Sequence, residues 1–456
     1  MKKVALSALA AAMISGIASA DALTLYSDPK TGQVYTTAGE GRVEMGDFIS
    51  AKEVDMAQRE AESKFSEYQD KQKKYVNVKS KAKTLEFSGT HYLGFTTSEP
   101  TTQSSTAGRS SGFEMRRNYL QVKAFFNDKD YARVTMDTTK ELASYVGTAE
   151  DTGTDNLKTS QGGGYADMFV KYAYLYLDNI LPYTGVEMGI VHRPWIDYEE
   201  HNSWHYRSFN KVALEEKSSA TTVTETGLDL VNSADFGINF KTKTENFSSE
   251  IGVFNGEGYH GDKIAGNQQN DSRLSVEWRL TGHLIGSGEK VGKADRTKDT
   301  YAQISTLGLV SHNHKDNAVA IGDAAEYDRS FYGIHAVYNQ PEFLLAAQYV
   351  KAEDDVRIST GTDLEYDLFS INAEIRPFTD WTIIGRYDDY KKENKTAAGV
   401  KTVNYEGEKK IVALAYKYNK NVSFIGTAKY CDEKNGAGVT TAYDKDIYML
   451  TTELKW

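Results

Sequence analysis

The sequence predicts an all-β protein: a transmembrane, antiparallel, up-and-down β-barrel of about 16 strands, preceded by a short N-terminal hairpin and helix. Three observations carry that expectation. Segments of alternating apolar and polar residues recur from residue 84 to the C-terminus. The connections between them alternate between short and long. After residue 20, no apolar run approaches the roughly 18 to 20 residues that a membrane helix requires. The mean hydropathy of -0.55 fits a water-soluble chain equally well. In a barrel, however, lipid-facing and lumen-facing residues alternate and cancel in any window.

Residues 1–20, MKKVALSALAAAMISGIASA, place Lys2 and Lys3 before a short apolar stretch and the small residues Ala18, Ser19 and Ala20, which reads as a secretory signal peptide cleaved before Asp21. No cysteine near that junction points to a lipid anchor. Loss of the two lysines takes the net charge from -11 to -13, and that acidity argues against a nucleic-acid partner. Cys431 is the single cysteine, so no intramolecular disulfide is available.

Residues 21–83 read as a periplasmic lead-in. "TLYSDPKTGQVYTT" predicts a hairpin around Pro29, Lys30, Thr31 and Gly32, and 50–75 predicts a helix. The stripe Val54, Ala57, Ala61, Phe65, Tyr68 and Tyr75 suits a three-chain coiled coil, a helix packed on the barrel base or a free arm.

Sixteen candidate strands follow. They lie near 84–96, 113–126, 130–140, 166–178, 184–192, 233–244, 246–255 and 270–283, then 299–312, 328–339, 342–352, 364–376, 380–390, 407–418, 421–430 and 443–456. "NDKD", "NILPYT", "KTEN", "NQPE", "PFTD" and "NKN" are short links, and long polar stretches such as 97–112, 140–165, 193–232, 391–406 and 431–442 lie between them. A membrane barrel sorts its turns and loops to opposite sides in this way, whereas a sandwich has no reason to. One link, 284–298, should be short and is long, which leaves 14 or 18 strands as alternatives. Pro29 and Pro100 fall in turn-like sequence, Pro182, Pro341 and Pro377 in tight turns, and Pro194 heads a loop, so none interrupts an alternating run.

The faces agree with this count. Leu274, Val276, Trp278 and Leu280 alternate with Arg273, Ser275, Glu277 and Arg279, and Phe236, Ile238 and Phe240 with Gly237, Asn239 and Lys241. The apolar face would meet lipid and the polar face water. Tyr172, Tyr176, Tyr387, Tyr448 and Trp456 fit aromatic girdles at the membrane boundary. The ending "DIYMLTTELKW" places Tyr448, Leu450, Thr452, Leu454 and Trp456 on one face, as a strand closing the barrel against 84–96 would.

The chain resembles the Gram-negative porins, and "RRNYLQVKAFFNDKDYARVTMD" with "KYAYLYLDNILPYTGVEMGIVHRPW" resembles the phosphate-selective type. The dense arginine ladder and lysine cluster of that type are not evident. The resemblance implies the outer membrane as location, trimers, and recognition of the terminal aromatic strand, hence Trp456, by the barrel-assembly machinery. It also implies that the loop after the fifth strand folds inward and narrows the pore.

That loop, 193–232, offers Arg193, Asp197, Glu199, Glu200, Arg207 and Lys211 for the constriction, with Trp195, Tyr198, Trp204 and Tyr206 among them. Opposed charges across a water-filled neck set a transverse field and an ionic preference. From the wall, Lys123, Arg133, Lys171, Lys241, Arg273, Arg279, Arg376, Arg386 and Lys429 point inward by parity, as do Asp137, Glu187, Glu250, Glu277, Glu374 and Asp388. The excess of bases suggests a mild anion preference, although cross-strand pairing would neutralise many of them.

His201 and His205 have helical metal-ligand spacing, but the sequence offers no third ligand, and "HNH" at 312–314 lies at a strand end. No Ser/His pairing or phosphate-cradling glycine motif stands out, and no cofactor is implied. The expected function is passive diffusion of small hydrophilic solutes and anions through a lipid-embedded pore. A substrate-specific transporter, a barrel enzyme and a structural or adhesive protein tethered to the cell wall are the alternatives.

Overall fold

The computed structural model describes residues 23–48, 81–100, 110–139, 167–216, 227–256 with 258, 274–311, 327–356, 363–396, 399–435 and 445–456. The chain divides into two units, Met1–Lys81 and Ala82–Trp456. The predicted signal peptide, the helix at 50–75, Arg273 and "HNH" at 312–314 lie outside the described residues.

In the first unit, β1 (Leu23–Ser27), β2 (Val34–Tyr35) and β3 (Val43–Phe48) form a sheet in the order β2-β1-β3. The hairpin turn closes because the backbone N–H of Lys30 donates to the Asp28 carboxylate at 2.8 Å and Gly32 takes a positive φ of 69°. The third strand adds to the hairpin expected from sequence.

The second unit is a closed barrel in which every neighbouring pair is antiparallel. Its strands are β4 (Thr84–Pro100), β5 (Ser110–Phe125), β6 (Tyr131–Thr139), β7 (Asp167–Leu181), β8 (Thr184–His192), β9 (Ala234–Lys243), β10 (Phe247–Phe254) and β11 (Ser275–Ile285). The second half comprises β12 (Tyr301–Ser311), β13 (Tyr327–Gln340), β14 (Phe343–Val356), β15 (Asp363–Phe378), β16 (Trp381–Lys395), β17 (Lys401–Lys417), β18 (Val422–Asn435) and β19 (Lys445–Lys455). The 16 strands fall where the alternation placed them, several extending further toward the long loops. Pro100 and Pro377 lie at strand ends rather than in turns, the latter where the β15 register breaks between Ile375 and Phe378.

β19 closes the cylinder on β4, from Lys445 opposite Pro100 to Lys455 opposite Thr90. Beyond that register, Trp456 and Gly89 exchange both backbone hydrogen bonds, at 2.9 and 3.1 Å. The ladder therefore has no free edge, as lipid requires of any sheet that spans it.

The usual burial order is inverted. On β11, Ser275, Glu277 and Arg279 are buried, while Val276 and the preceding Leu274 are exposed. Exposed aliphatic and aromatic side chains continue round the outer face, including Ile304, Ile334, Leu345, Val412, Leu414 and Leu450. A continuous apolar outer surface on a closed barrel is the signature of a lipid-facing wall. Trp278 lies flat over the directly opposed Gly308, where an added Cβ would come within 2.1 Å of the indole.

The long link on the short-turn side is real. β11 and β12 pair directly, so 286–300 is one connection and no strand was miscounted.

Candidate functional site

The loop after β8 carries the site. Its described part, 193–216 and 227–233, lies inside the barrel, bonded to inward side chains of distant strands. Pro194 starts helix α1 (Pro194–Asn202), where its fixed φ and missing N–H suit the first turn. Trp195, Ile196, Tyr198, Trp204, Phe209 and Leu214 then bury their apolar surface together with wall residues such as Leu307, Leu368 and Ile411.

Polar anchors fix the loop to one side of the wall. Arg193, fully buried, donates to Glu277 on β11 at 2.6 Å and to Asp235 on β9 at 2.8 Å. Tyr198 donates to Gln303 on β12 at 2.5 Å, Gln348 on β14 to Glu199 at 2.7 Å, and Asn372 on β15 to the Ser203 carbonyl at 2.9 Å. Arg386 on β16 reaches the Lys211 carbonyl, Lys409 on β17 the Glu216 carboxylate, and Lys429 on β18 the Asn210 amide oxygen. Strands β9 and β11 to β18 thus anchor the loop, and the space left open is lined chiefly by β4 to β9.

That space is a cavity of about 1810 Å3, rimmed by short-turn residues such as Lys129, Glu342, Asp380 and Asn419. Asp197, Glu200 and Arg207 line it from the loop, and Lys123, Arg133, Lys241, Arg279, Arg376, Glu187 and Glu250 from the wall. Arg193, Glu199 and Lys211 do not line it; the first two are buried as anchors. Lys171 is buried against Ser233, and Arg386 against Asp388 and the loop, also outside the cavity lining.

The ionic pattern within the cavity is uneven. Lys241 lies within ion-pair distance of Glu250 (2.6 Å), Asp197 (3.1 Å) and Glu187 (3.2 Å), and Arg207 pairs with Glu200 and Glu215. Burial pushes the Glu199 carboxyl up to about 7, although Trp195 and Gln348 donate to it. α1 ends at Asn202, so His201 and His205 do not share a helical face.

A second segment enters from the opposite end. In the 286–300 link, the Gly292 N–H donates to the Asn202 side chain at 3.3 Å, and Arg296 pairs with Glu374 at 2.7 Å. The Arg296 guanidinium also sits 5.0 Å from the Tyr206 ring centre. Residues 291–298 line the cavity and meet the inward loop there. The anomalous length of this link was the sequence signal for a second inward element.

Parity misplaces one group. Tyr172 and Tyr176, expected in the membrane girdle, line the lumen with Tyr174. The cause is a β-bulge: Thr135 pairs with Tyr172 and Met136 with Val170, so Lys171 is an extra residue and the faces exchange there. Tyr448 and Trp456 do face outward. Arg117, Tyr119 and Tyr92 also line the cavity, and the alternation that placed Lys123 inward extends to Arg117.

A closed 16-stranded barrel with an apolar exterior, a polar interior and a loop folded into its lumen is a porin-like outer-membrane fold. Solved structures bear this out at the level of the fold. The anion-selective porin from Comamonas acidovorans matches with a TM-score of 0.54 at 11% identity, over 82% of this chain and 99% of that one. OmpT, an outer membrane protein of Vibrio cholerae, matches with a TM-score of 0.52 at 12% identity, over 84% of this chain and 100% of that one. Its trimer form gives 0.52 at 12% identity, over 82% and 99%. No family model matches the chain, and no curated protein matches it in sequence.

Proposed function

We propose that the protein is a porin, a passive water-filled channel for small hydrophilic solutes with a preference for anions, working as a homotrimer. The observation that carries this reading is the charge of the cavity. Fifteen Lys and Arg line it against ten Asp and Glu, whereas the whole chain has 53 against 64. An acidic protein that concentrates its bases in its lumen favours anions there, because the low-dielectric wall focuses the field along the water path.

The loop makes the neck. Asp197 and Glu200 face the cavity from α1, and Arg117 and Arg133 line it from the wall, so charges of both signs border the path where the loop enters. No chemistry is asked of these groups, and the barrel passes solutes down their gradients. The lining bases are spread among carboxylates rather than stacked as a ladder, which favours general anion passage over phosphate specificity.

Liposome swelling tests the reading. Purified protein in liposomes should admit small neutral sugars at rates that fall steeply with solute size. Liposomes that stay impermeable to the smallest of them would contradict it.

A further inference from the structure

We infer that Lys123 and Arg133, with the tyrosine rings around them, form a station on the channel wall for a small carboxylate carried on a flat ring, the benzoate class. The inference rests on the channel reading and names the solute that the channel handles best.

Lys123 on β5 and Arg133 on β6 stand directly opposite each other in the strand register, and both line the cavity. Like charges in that position repel, since directly opposed Cβ atoms are only about 5 Å apart. Several other lining cations are neutralised: Lys241 has three carboxylates, Arg207 two, and Arg296 and Arg376 share Glu374. Arg117 and Lys243 have no carboxylate partner among the described residues, but no second cation stands opposite them. Among the described residues, no carboxylate lies within ion-pair distance of Lys123 or Arg133. The nearby Glu187 is engaged by Lys241 at 3.2 Å and by His192 at 3.7 Å. Glu86 on β4 stands opposite Lys123 in the register but outside ion-pair distance, so the two opposed cations keep room for a carboxylate brought by the solute.

The surroundings choose the anion. Arg133 is held by Thr135 at 3.0 Å and by the Tyr174 hydroxyl and His192 at 3.2 Å, with its guanidinium 4.8 Å from the Tyr172 ring centre. These bonds use Nε and Nη1 and fix the guanidinium plane, leaving Nη2 to donate to an incoming carboxylate. The Lys123 ammonium lies 5.3 Å from the Tyr131 ring, which itself packs 5.1 Å from Tyr176 and 6.1 Å from Tyr174. An aromatic ring carried by the anion gains offset or edge contacts with this cluster. An aliphatic acid of the same charge gains none of them.

Bilayer recording with benzoate, acetate, benzyl alcohol or benzylamine added at constant ionic strength tests the station. Benzoate should interrupt the chloride current at about tenfold lower concentration than acetate, and the alcohol and the amine should leave the current unchanged. The doubly substituted K123Q/R133Q channel should lose the benzoate effect while still conducting, and Y131L should bring benzoate down to the level of acetate. Arg133→Lys, which keeps the charge and loses the guanidinium plane, should weaken the effect without closing the channel. Open channels that treat benzoate and acetate alike, or a benzoate effect that survives K123Q/R133Q, would overturn the station and leave the pore reading intact. A protein that never conducts would overturn both.

Discussion

Lys241 on β9 lies 3.1 Å from Asp197 on α1, an ion pair that ties the inward helix to the strand that follows the loop. The same ammonium holds Glu250 and Glu187, with Arg279 also 3.9 Å from Glu250, so three carboxylates gather round Lys241 in the lumen. Lys241→Gln should therefore act on both position and charge. The reversal potential in a salt gradient should move toward cations, and α1 should become accessible to protease. An unchanged reversal potential would place this cluster off the ion path.

The loop acids should act in the opposite direction. Asp197 and Glu200 line the cavity, and Asp197→Asn with Glu200→Gln removes negative charge from its inner end. Anion preference should rise, and the shift should shrink as salt rises and the Debye length falls below about 5 Å. A shift toward cations would mean that these groups do not face the permeating ions.

Arg193 should matter for the loop's position rather than for ion choice. Truncating it to Ala leaves Asp235 and Glu277 buried without their shared partner, a loss of about 3–5 kcal/mol in systems of this kind. The barrel ladder does not pass through Arg193, so strand content should persist while the loop detaches, seen as a wider and noisier conductance. A normal, quiet conductance would show that the other anchors suffice.

Glu199 predicts a pH dependence whose sign follows from burial. Its carboxyl is raised to about 7 in the folded loop, so between the ordinary carboxylate range and that value the folded state holds a proton that the unfolded state has lost. Loop stability should fall as pH rises through that window and level off above it. Hydrogen exchange in 194–204, corrected for intrinsic rates, should show more opening at pH 8 than at pH 5, and Glu199→Gln should flatten the difference. Greater opening at the acidic end would contradict the assignment.

The strands were legible in the sequence because a half-buried strand repeats every two residues, and the short and long links fixed their order. The same rule placed Glu277, Arg279 and Lys241 inward, where they lie. It failed at Lys171, because a bulge adds one residue without any change in residue pattern, and three tyrosines changed face. The loop was harder to read for another reason. Its residues are placed by bonds to strands far away in sequence, as Glu199 is by Gln348 and Asn210 by Lys429, and no local period encodes such partners. Arg193 and Glu199 therefore read as pore charges and sit as anchors, while the length of 286–300 was visible but its inward path was not.

Trp456 closes the ladder with Gly89, and its indole N–H donates to His91 at 2.8 Å. Removing it costs two backbone bonds at the seam between β19 and β4. Deletion of Trp456 should slow assembly, lowering the folded fraction in outer membranes at equal synthesis. Substitution to Phe, which keeps the backbone bonds and an aromatic terminus, should restore most of it.

Planar-bilayer recording of the purified protein decides whether it is a channel. A passive pore narrowed by the loop should give stepwise, ohmic conductance increments in simple salt, a reversal potential on the anion side, and larger, less selective steps once residues 196–212 are deleted. Absence of discrete conductance from correctly folded, heat-stable protein would contradict the channel, and steps unchanged by the deletion would contradict the neck.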